Sequence, residues 1–179
     1  RTIGLYGDVE EEKISEVIAG LLSLHYLGKP EPAEEGEEQQ GGKPIDMYVS
    51  TYGGAADDMA ALVDVMNVVK KDCPIRTIGI GKVMSAGVPI LAAGTKGQRK
   101  IGRNCRIMLH NVMAGSHGTI FSMENELEEI KWVQERYIDC LSNYTKLTPS
   151  KIKKLLKSQN DVYISAEEAI KMGIADEII

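Results

Sequence analysis

The chain of 179 residues is poor in aromatic side chains and has no surplus of positive charge. It holds one Trp and one Phe, so it lacks the stacked aromatic rings on which single-stranded nucleic acids bind. Its net charge of −5 opposes binding to a phosphate backbone, which requires a basic surface. No apolar run approaches the length of about 18 residues that a membrane-spanning helix needs. We therefore expect neither a nucleic acid nor a membrane as the partner.

Cysteine is also scarce. Cys73, Cys105 and Cys140 are an odd number of residues, widely spaced and without a C-x-x-C pair, which favours reduced thiols in or near a core. Metal-ligand spacings such as H-x-x-x-H are missing, as are the P-loop and the G-x-G-x-x-G motif. We therefore predict no metal site and no nucleotide chemistry in this chain. The first residues form no secretion signal, so we expect a cytoplasmic protein, or an organelle protein of stroma or matrix if a targeting segment was removed.

The apolar periodicity predicts an α/β fold. Buried-strand patterns occur at 3–6, 45–50, 75–80 and 105–109, and helical spacing occurs at 14–22, 57–71 and 122–146. Asp8 is predicted to cap the first helix, and Gly81 to end the third strand. Thr148 before Pro149 predicts a further helix start, and Ser165 with Glu168 predicts a capping box. Strands alternating with helices indicate a largely parallel sheet.

Residues 29–43, KPEPAEEGEEQQGGK, contain five glutamates, two prolines and three glycines. Such a segment buries too little apolar surface to offset the entropy of ordering it. We therefore predict a mobile acidic insertion within a single domain that spans residues 1–179. An acidic binding tail is the alternative interpretation of this segment.

Three predicted strands end in unusual residues. The strand at 45–50 is followed by Gly53-Gly54, the strand at 75–80 by Ser85 in the passage GKVMSAG, and the strand at 105–109 by His110. Sites in parallel sheets collect at the carboxyl ends of strands. A serine at a strand-to-helix turn exposes its hydroxyl beside unpaired backbone N–H groups, which are the donors that a developing oxyanion requires. This pattern indicates nucleophilic chemistry at a carbonyl.

Each of these residues also has a purely structural interpretation. Ser85 is a possible N-cap of its helix, His110 a hydrogen-bonded core residue, and the glycine pair a tight turn. Asp161, which follows the predicted helix at 149–158 and precedes Val162-Tyr163-Ile164, has the pattern of a turn residue. His25 is expected at a surface or interface, and His117 in a solvated loop. The joint placement at neighbouring strand ends favours the functional interpretation.

Four segments are similar to one known family over the whole chain: RTIGLYGDV, YVSTYGG, the central block IGIGKVMSAGVPILAAGTKGQRKIGRNCRIMLH, and NDVYISAEEAIKMGIADEII. With these segments the chain resembles the ClpP family, the proteolytic subunits of the ATP-dependent Clp protease. The resemblance implies a ClpP/crotonase-like fold of repeated ββα-type units with a largely parallel sheet. It also implies a protruding handle helix, which corresponds to residues 122–146.

The resemblance further implies an ATP-dependent serine endopeptidase with a Ser-His-Asp triad. Ser85 would be the nucleophile, His110 the general base and Asp161 the carboxylate that orients the imidazole. The oxyanion hole would use the backbone N–H groups of Gly54 and Ala86. In the family the chain after the histidine forms a strand that pairs with substrate, which corresponds here to residues 111–118. The implied substrate-binding residues are Gly53, Asn111, Val112, Met113 and Gly115.

Family members stack two seven-membered rings around an inner chamber, and an AAA+ unfoldase feeds unfolded polypeptide into it. The resemblance therefore implies self-association, an unfoldase partner that uses ATP, and no cofactor in this chain. The sequence departs from the family pattern in that Tyr52 and Val112 replace prolines and Asn160 replaces an arginine. Two other functions remain open, namely a non-catalytic Clp-like ring subunit and a crotonase-type acyl-CoA enzyme.

Overall fold

The computed structural model describes residues 1–30, 41–157 and 161–179. Most of the predicted acidic insertion, together with Asn160, lies outside the described residues. Within the described ranges the elements are β1 (Thr2–Tyr6), α1 (Glu11–Tyr26), β2 (Ile45–Thr51), α2 (Ala56–Val69), β3 (Ile75–Met84), α3 (Gly87–Ala92), β4 (Lys100–Ile101), β5 (Arg106–Leu109), α4 (Ile120–Tyr144), α5 (Pro149–Leu156), β6 (Val162–Ile164), α6 (Ala166–Met172) and β7 (Glu177–Ile178). Strands and helices alternate along most of the chain.

The strands form one mostly parallel sheet. Its main order is β1-β2-β3-β4-β7, and β5 also pairs in parallel with the end of β3. β6 pairs antiparallel with β5. The predicted fold class, an α/β fold with a largely parallel sheet, is confirmed. β4, β6 and β7 were not predicted, because strands of two or three residues are too short to show a periodic pattern.

Strand β2 has one face in the core and one face that is only half-buried. Every second residue of β2, from Ile45 to Thr51, is fully buried, and the residues between them are half-buried, as the pleat of a strand requires. Helices α1 and α2 pack against each other, and each turns its predicted apolar face inward, with Leu21 and Met66 fully buried. Helix α3 is buried along its entire length.

The prediction that Gly81 ends the third strand is wrong. β3 continues through Gly81 to Met84, and the glycine has a φ of +63°, a conformation that L side chains rarely adopt. Before this bend β3 pairs with β4 at Ile78, and after it with β5 at Val83. The glycine therefore redirects the strand from one partner to another, and this redirection carries the end of β3 alongside β5.

The predicted helix boundaries at the carboxyl-terminal end are confirmed, whereas the first cap is wrong. Thr148 and Ser165 accept hydrogen bonds from the N–H groups at the starts of α5 and α6, and Glu168 completes the capping box. Asp8 does not cap α1, which begins at Glu11. The reason is that Val9 forms a parallel bridge with Gly54, which keeps the chain extended beyond Asp8.

Helix α4 packs on the core only through its carboxyl-terminal half. Tyr137, Ile138 and Leu141 are buried, whereas Phe121 and Leu127 near the other end are 79% and 50% exposed. Helical spacing of apolar residues was predicted over the whole helix, but those residues are buried only in its carboxyl-terminal half. The amino-terminal half thus leaves apolar side chains exposed among the described residues, as expected for a protruding helix.

A buried ion pair fixes the end of α4 to the end of the chain. Arg99 is 3% exposed and donates to both carboxylate oxygens of Asp176, at 2.6 Å and 2.8 Å. Arg99 also donates to the carbonyls of Ala92 and Tyr144, the last residues of α3 and α4. Because one side chain joins three segments, it holds α4 in place relative to α3 and the turn that contains Asp176.

Candidate active site

The carboxyl ends of β2, β3 and β5 meet at one edge of the sheet. Gly53 follows β2 by two residues, while Ser85 and His110 each directly follow the last residue of their strand. The register pairs Met84 of β3 with Met108 of β5, so the residues that follow them lie close together. The structure therefore brings the three predicted strand ends to a common place.

Ser85 and His110 contact each other directly. The Ser85 Oγ atom lies 2.7 Å from the His110 Nε2 atom, within normal hydrogen-bonding distance. The Ser85 backbone N–H donates to the Met108 carbonyl at 2.8 Å, which fixes the serine turn to the strand that carries the histidine. In this geometry the hydroxyl can donate its proton to the imidazole, as nucleophilic catalysis by serine requires.

Ser85 has a strained backbone. Its φ is +51°, and among the described residues it is the only non-glycine residue with a positive φ. Such strain costs about 1–3 kcal/mol and persists only where the surrounding structure enforces it, most often at functional sites. The N-cap of α3 is Ala86, and no side chain caps this helix. The alternative interpretation of Ser85 as an N-cap is therefore wrong.

Gly53 supports the serine turn from behind. Its φ is +101°, and a Cβ at this position would lie 2.6 Å from the Ser85 Cβ and 3.0 Å from the Ala86 nitrogen. Only glycine lets the backbone approach so closely. The Gly53 N–H donates to Thr51 Oγ1 at 2.9 Å, which holds the turn closed without a proline at Tyr52.

Two backbone N–H groups are available next to Ser85. Within the described part of the chain, neither the Gly54 N–H nor the Ala86 N–H donates to another protein group. Gly54 is held in place because Val9 donates to the Gly53 carbonyl and accepts from the Ala55 N–H, each at 2.8 Å. Both residues line the same pocket as Ser85, so both N–H groups can bind an oxygen atom of a ligand there.

This pocket has a volume of about 280 Å³. Its lining is Tyr52, Gly54, Ala55, Ala56, Met59, Ser85, Ala86, His110, Asn111, Val112, Met113 and Tyr137. Of the five predicted substrate-binding residues, Asn111, Val112 and Met113 line the pocket. Gly53 lies behind Ser85, and Gly115 is exposed outside the pocket. Apart from Ser85 and His110 the lining is largely apolar.

The segment after His110 does not form the strand that the resemblance implies. Residues 110–118 are irregular up to the start of α4. The Asn111 side chain donates to the Leu156 carbonyl at 2.5 Å, and the Val112 N–H donates to the Gln134 side chain at 2.8 Å. These two contacts hold the start of the segment against α5 and α4.

Asp161 lies near His110 but does not bind it. The antiparallel register of β5 and β6 pairs Leu109 with Val162, which places Asp161 and His110 at the next step of the ladder. The Asp161 residue is nevertheless exposed, and among the described residues the His110 ring is hydrogen-bonded only to Ser85. The structure thus assembles two members of the predicted triad and leaves the third beside them.

The remaining candidate residues lie elsewhere. His25 contacts Asp72 at 2.6 Å, and His117 is exposed in the segment before α4. All three cysteines are free, and burial raises the pKa of the Cys105 and Cys140 thiols to about 11, so they stay protonated at neutral pH and are poor nucleophiles. Over the described ranges no cluster of three or more metal-ligating side chains is found, and no helix is long and apolar enough to cross a membrane.

Sequence reasoning missed two polar residues beside the site. Gln134 has no predicted role, and Tyr137 is covered only by the helical spacing predicted at 122–146. In the structure both lie on one face of this helix and contact the segments that carry His110 and Ser85. The only sequence signal is a glutamine and a tyrosine three positions apart, next to the inward face of an amphipathic helix.

The fold and the site together define a class, the α/β proteins that hold a serine–histidine pair and free backbone N–H groups at the carboxyl edge of a parallel sheet. A family model described as Clp protease matches residues 1–179, the whole chain. The chain therefore belongs to the Clp protease family, and it is a Clp-type peptidase by family. The family assignment predicted from the sequence is confirmed.

Proposed function

We propose that this chain is the serine endopeptidase subunit of an ATP-dependent Clp-type protease, with Ser85 as the nucleophile and His110 as the general base. The observation that carries the proposal is the 2.7 Å contact between Ser85 Oγ and His110 Nε2, made by a serine with a strained backbone. Family membership supports the peptidase reaction, and this contact supplies the pair of groups that the reaction needs.

In the proposed mechanism His110 accepts the Ser85 hydroxyl proton while the oxygen attacks the carbonyl carbon of a substrate peptide bond. The N–H groups of Gly54 and Ala86 donate to the carbonyl oxygen as it becomes negative. His110 then donates its proton to the leaving amine, and water hydrolyses the resulting ester in the reverse sequence of proton transfers. One oxyanion donor of this kind contributes about 10²–10³-fold to the rate.

Asp161 is proposed to complete the triad after a local rearrangement. Its place beside His110 in the strand ladder supports this role, because a small movement of the backbone at Asp161 would bring its carboxylate to the His110 imidazole. The carboxylate would then fix the tautomer of His110 and stabilise its charged form. In this rearrangement Asp161 would move, while the contact between Ser85 and His110 would stay as it is.

The proposed substrates are unfolded polypeptides, and the proposed partners are further copies of this chain and an AAA+ unfoldase that uses ATP. Membership of the Clp protease family supports assembly and an ATPase partner in general. The exposed apolar side chains in the amino-terminal half of α4, among them Phe121 and Met123, support an interface between copies. The proposed setting is the cytoplasm or an organelle matrix or stroma, and no cofactor is proposed for this chain.

A second candidate is a non-catalytic ring subunit of the same family. The observation that favours it is the exposed Asp161, which makes no hydrogen bond to His110 among the described residues. No comparable feature favours an acyl-CoA enzyme, which needs no serine–histidine pair.

Active-site labelling separates the two candidates. A fluorophosphonate probe should label the purified full-length protein at one site per chain, because it phosphonylates an activated serine oxygen and releases fluoride. Ser85→Ala should abolish the labelling, whereas Ser15→Ala, a matched change on the exposed face of α1, should leave it intact. Absence of labelling in the assembled wild type, or labelling that persists in Ser85→Ala, would identify the inert subunit.

A further inference from the structure

One face of helix α4 contacts the Ser85 backbone and the segment that follows His110. The Gln134 Oε1 atom accepts a hydrogen bond from the Val112 N–H, two residues after His110, and the Tyr137 hydroxyl donates to the Ser85 carbonyl at 3.4 Å. Residues three apart share a helix face. The same turn of α4 therefore reaches the segment that follows the histidine and the turn that holds the serine.

The Ser85 carbonyl belongs to the peptide group that carries the Ala86 N–H. A peptide group is planar and trans, so its carbonyl oxygen and its N–H point in opposite directions. A donor that fixes the direction of the Ser85 carbonyl therefore also fixes the direction of the Ala86 N–H. This N–H is one of the two free donors beside the Ser85 hydroxyl in the pocket.

The Ser85 carbonyl receives two donors from different parts of the structure. The Val88 N–H donates at 3.0 Å from within the following helical turn, and the Tyr137 hydroxyl donates from α4. Tyr137 is 4% exposed, and a buried tyrosine hydroxyl usually finds a partner. Burial raises the pKa of Tyr137 well above its ordinary value, so the hydroxyl remains a neutral donor across the neutral pH range.

Gln134 binds the backbone of the segment that follows His110. Its Oε1 atom accepts the Val112 N–H at 2.8 Å, while its Nε2 atom is buried and has no partner among the described residues. An unpaired buried donor is destabilising by about 1–3 kcal/mol, so the Nε2 side of this amide adds nothing to stability. The proline that is usual in the family at the position of Val112 would have no N–H to offer.

We propose that Tyr137 and Gln134 are positioning residues through which α4 sets the geometry of the active site. Tyr137 directs the Ala86 N–H toward the oxyanion, and Gln134 holds the chain that follows His110. The inference rests on the proposed function, because it assigns these residues to the serine and the oxyanion donor of that mechanism. The 3.4 Å contact is long for an O–H donor, so a small shift of α4 strengthens or breaks it.

Tyr137→Phe tests the first contact, because it removes one oxygen atom and keeps the packing of the ring. The matched control is Tyr144→Phe, which removes a hydroxyl from the same helix that donates to Asn67 Oδ1 at 2.7 Å, away from the site. The readouts are kcat and KM for a short fluorogenic peptide, the rate constant of fluorophosphonate labelling, and the midpoint of thermal unfolding, all on the purified full-length protein.

We expect Tyr137→Phe to lower kcat and the labelling rate about tenfold, with KM within about twofold, since a misdirected donor costs less than the about 10²–10³-fold of a missing one. Tyr144→Phe should keep both rates within about twofold, although its stability falls by a comparable amount. Equal rates in Tyr137→Phe and wild type, or equal losses in the two variants, would overturn the inference for Tyr137.

Gln134→Met and Gln134→Glu provide the second, independent arm. Both keep the length of the side chain, but only Glu retains an oxygen that accepts the Val112 N–H. We expect Met to lower kcat several-fold and Glu to recover most of it; equal kcat values in the two variants would overturn the role of Gln134. Labelling of the wild type at Ser85 separates a failure of the proposed function from a failure of this inference. Its absence would refute the proposed function and the inference with it, whereas labelling with unchanged rates in the variants would refute the inference alone.

Discussion

Gly53→Ala should displace the serine turn, because the new methyl group has no room. It would lie 2.6 Å from the Ser85 Cβ and 2.9 Å from the Met84 carbonyl oxygen, both shorter than real Cβ contacts allow. The Ser85 Cβ and the backbone atoms cannot swing aside as the end of a flexible side chain can. The turn must therefore shift away from β2, and it takes the Ser85 hydroxyl with it.

Two effects lower the stability of this variant. A residue with a Cβ in a left-handed conformation costs about 1–2 kcal/mol, and Gly53 has a φ of +101°. Overpacking of a closed site costs about 1–3 kcal/mol. We expect the free energy of unfolding to fall by about 2–5 kcal/mol, the sum of the two ranges. A displacement of the nucleophile by about 1 Å should lower the rate of peptide hydrolysis about 100-fold.

Two glycine variants separate strain from overlap. Gly97 has a φ of +84°, and a methyl group added there would meet no atom of the described residues within 4 Å, so Gly97→Ala adds strain alone. Gly41→Ala adds neither. Urea unfolding and peptide hydrolysis under folded conditions are measured for all three. We expect hydrolysis to fall only in Gly53→Ala; a rate within about twofold of wild type in that variant would refute the proposed geometry of the turn.

Three further predictions concern other parts of the molecule. Asp176→Ala should lower the free energy of unfolding by about 3–5 kcal/mol, because it leaves the buried Arg99 without its partner. Burial alone would raise the pKa of Asp176, but the hydrogen bonds and charge of Arg99 outweigh it and lower the pKa. The stabilisation by this carboxylate is therefore complete above its unfolded pKa of about 3.9 and is lost as the pH falls through the lower folded pKa. Urea unfolding is measured at pH 7 and in acid. In acid the free energy of unfolding of the wild type should approach that of the variant. Asp161→Asn should lower kcat by up to about 10⁴-fold if the carboxylate joins the pair, and an unchanged kcat would remove Asp161 from the mechanism. Replacement of residues 31–40 by a short Gly-Ser linker should leave the thermal midpoint and the particle size unchanged. The reason is that the flanking residues are held by their own contact, in which the Lys43 N–H donates to the Gly28 carbonyl at 2.8 Å. Loss of assembly would contradict this prediction.

Sequence patterns predicted the parts of the fold that repeat with a regular period. The alternation in β2 and the apolar face of α2 were correct because each depends on burial of a single element against the core. The serine, the histidine and the glycine pair were predicted to meet because parallel strands end at the same edge of a sheet. These conclusions need only local pattern and topology.

The errors arose where a distant segment decides the local conformation. Gly81 was expected to end a strand, but pairing with β5 carries the strand past it. Asp8 was expected to cap α1, but the bridge between Val9 and Gly54 keeps the chain extended. Residues 111–118 were expected to form a strand, but they are irregular, and at their start the Val112 N–H binds Gln134 of α4. None of these partners is visible in the segment concerned.

A covalent acyl-enzyme would test the central claim most directly. The full-length protein is incubated with p-nitrophenyl acetate, quenched in acid during the initial burst, and digested for mass spectrometry. An attack by Ser85 releases p-nitrophenol and leaves one acetyl group on the serine oxygen. We predict that the acetyl group maps to Ser85, is absent in Ser85→Ala and forms much more slowly in His110→Ala; acetylation at another residue, with Ser85 unmodified at every time point, would contradict the account.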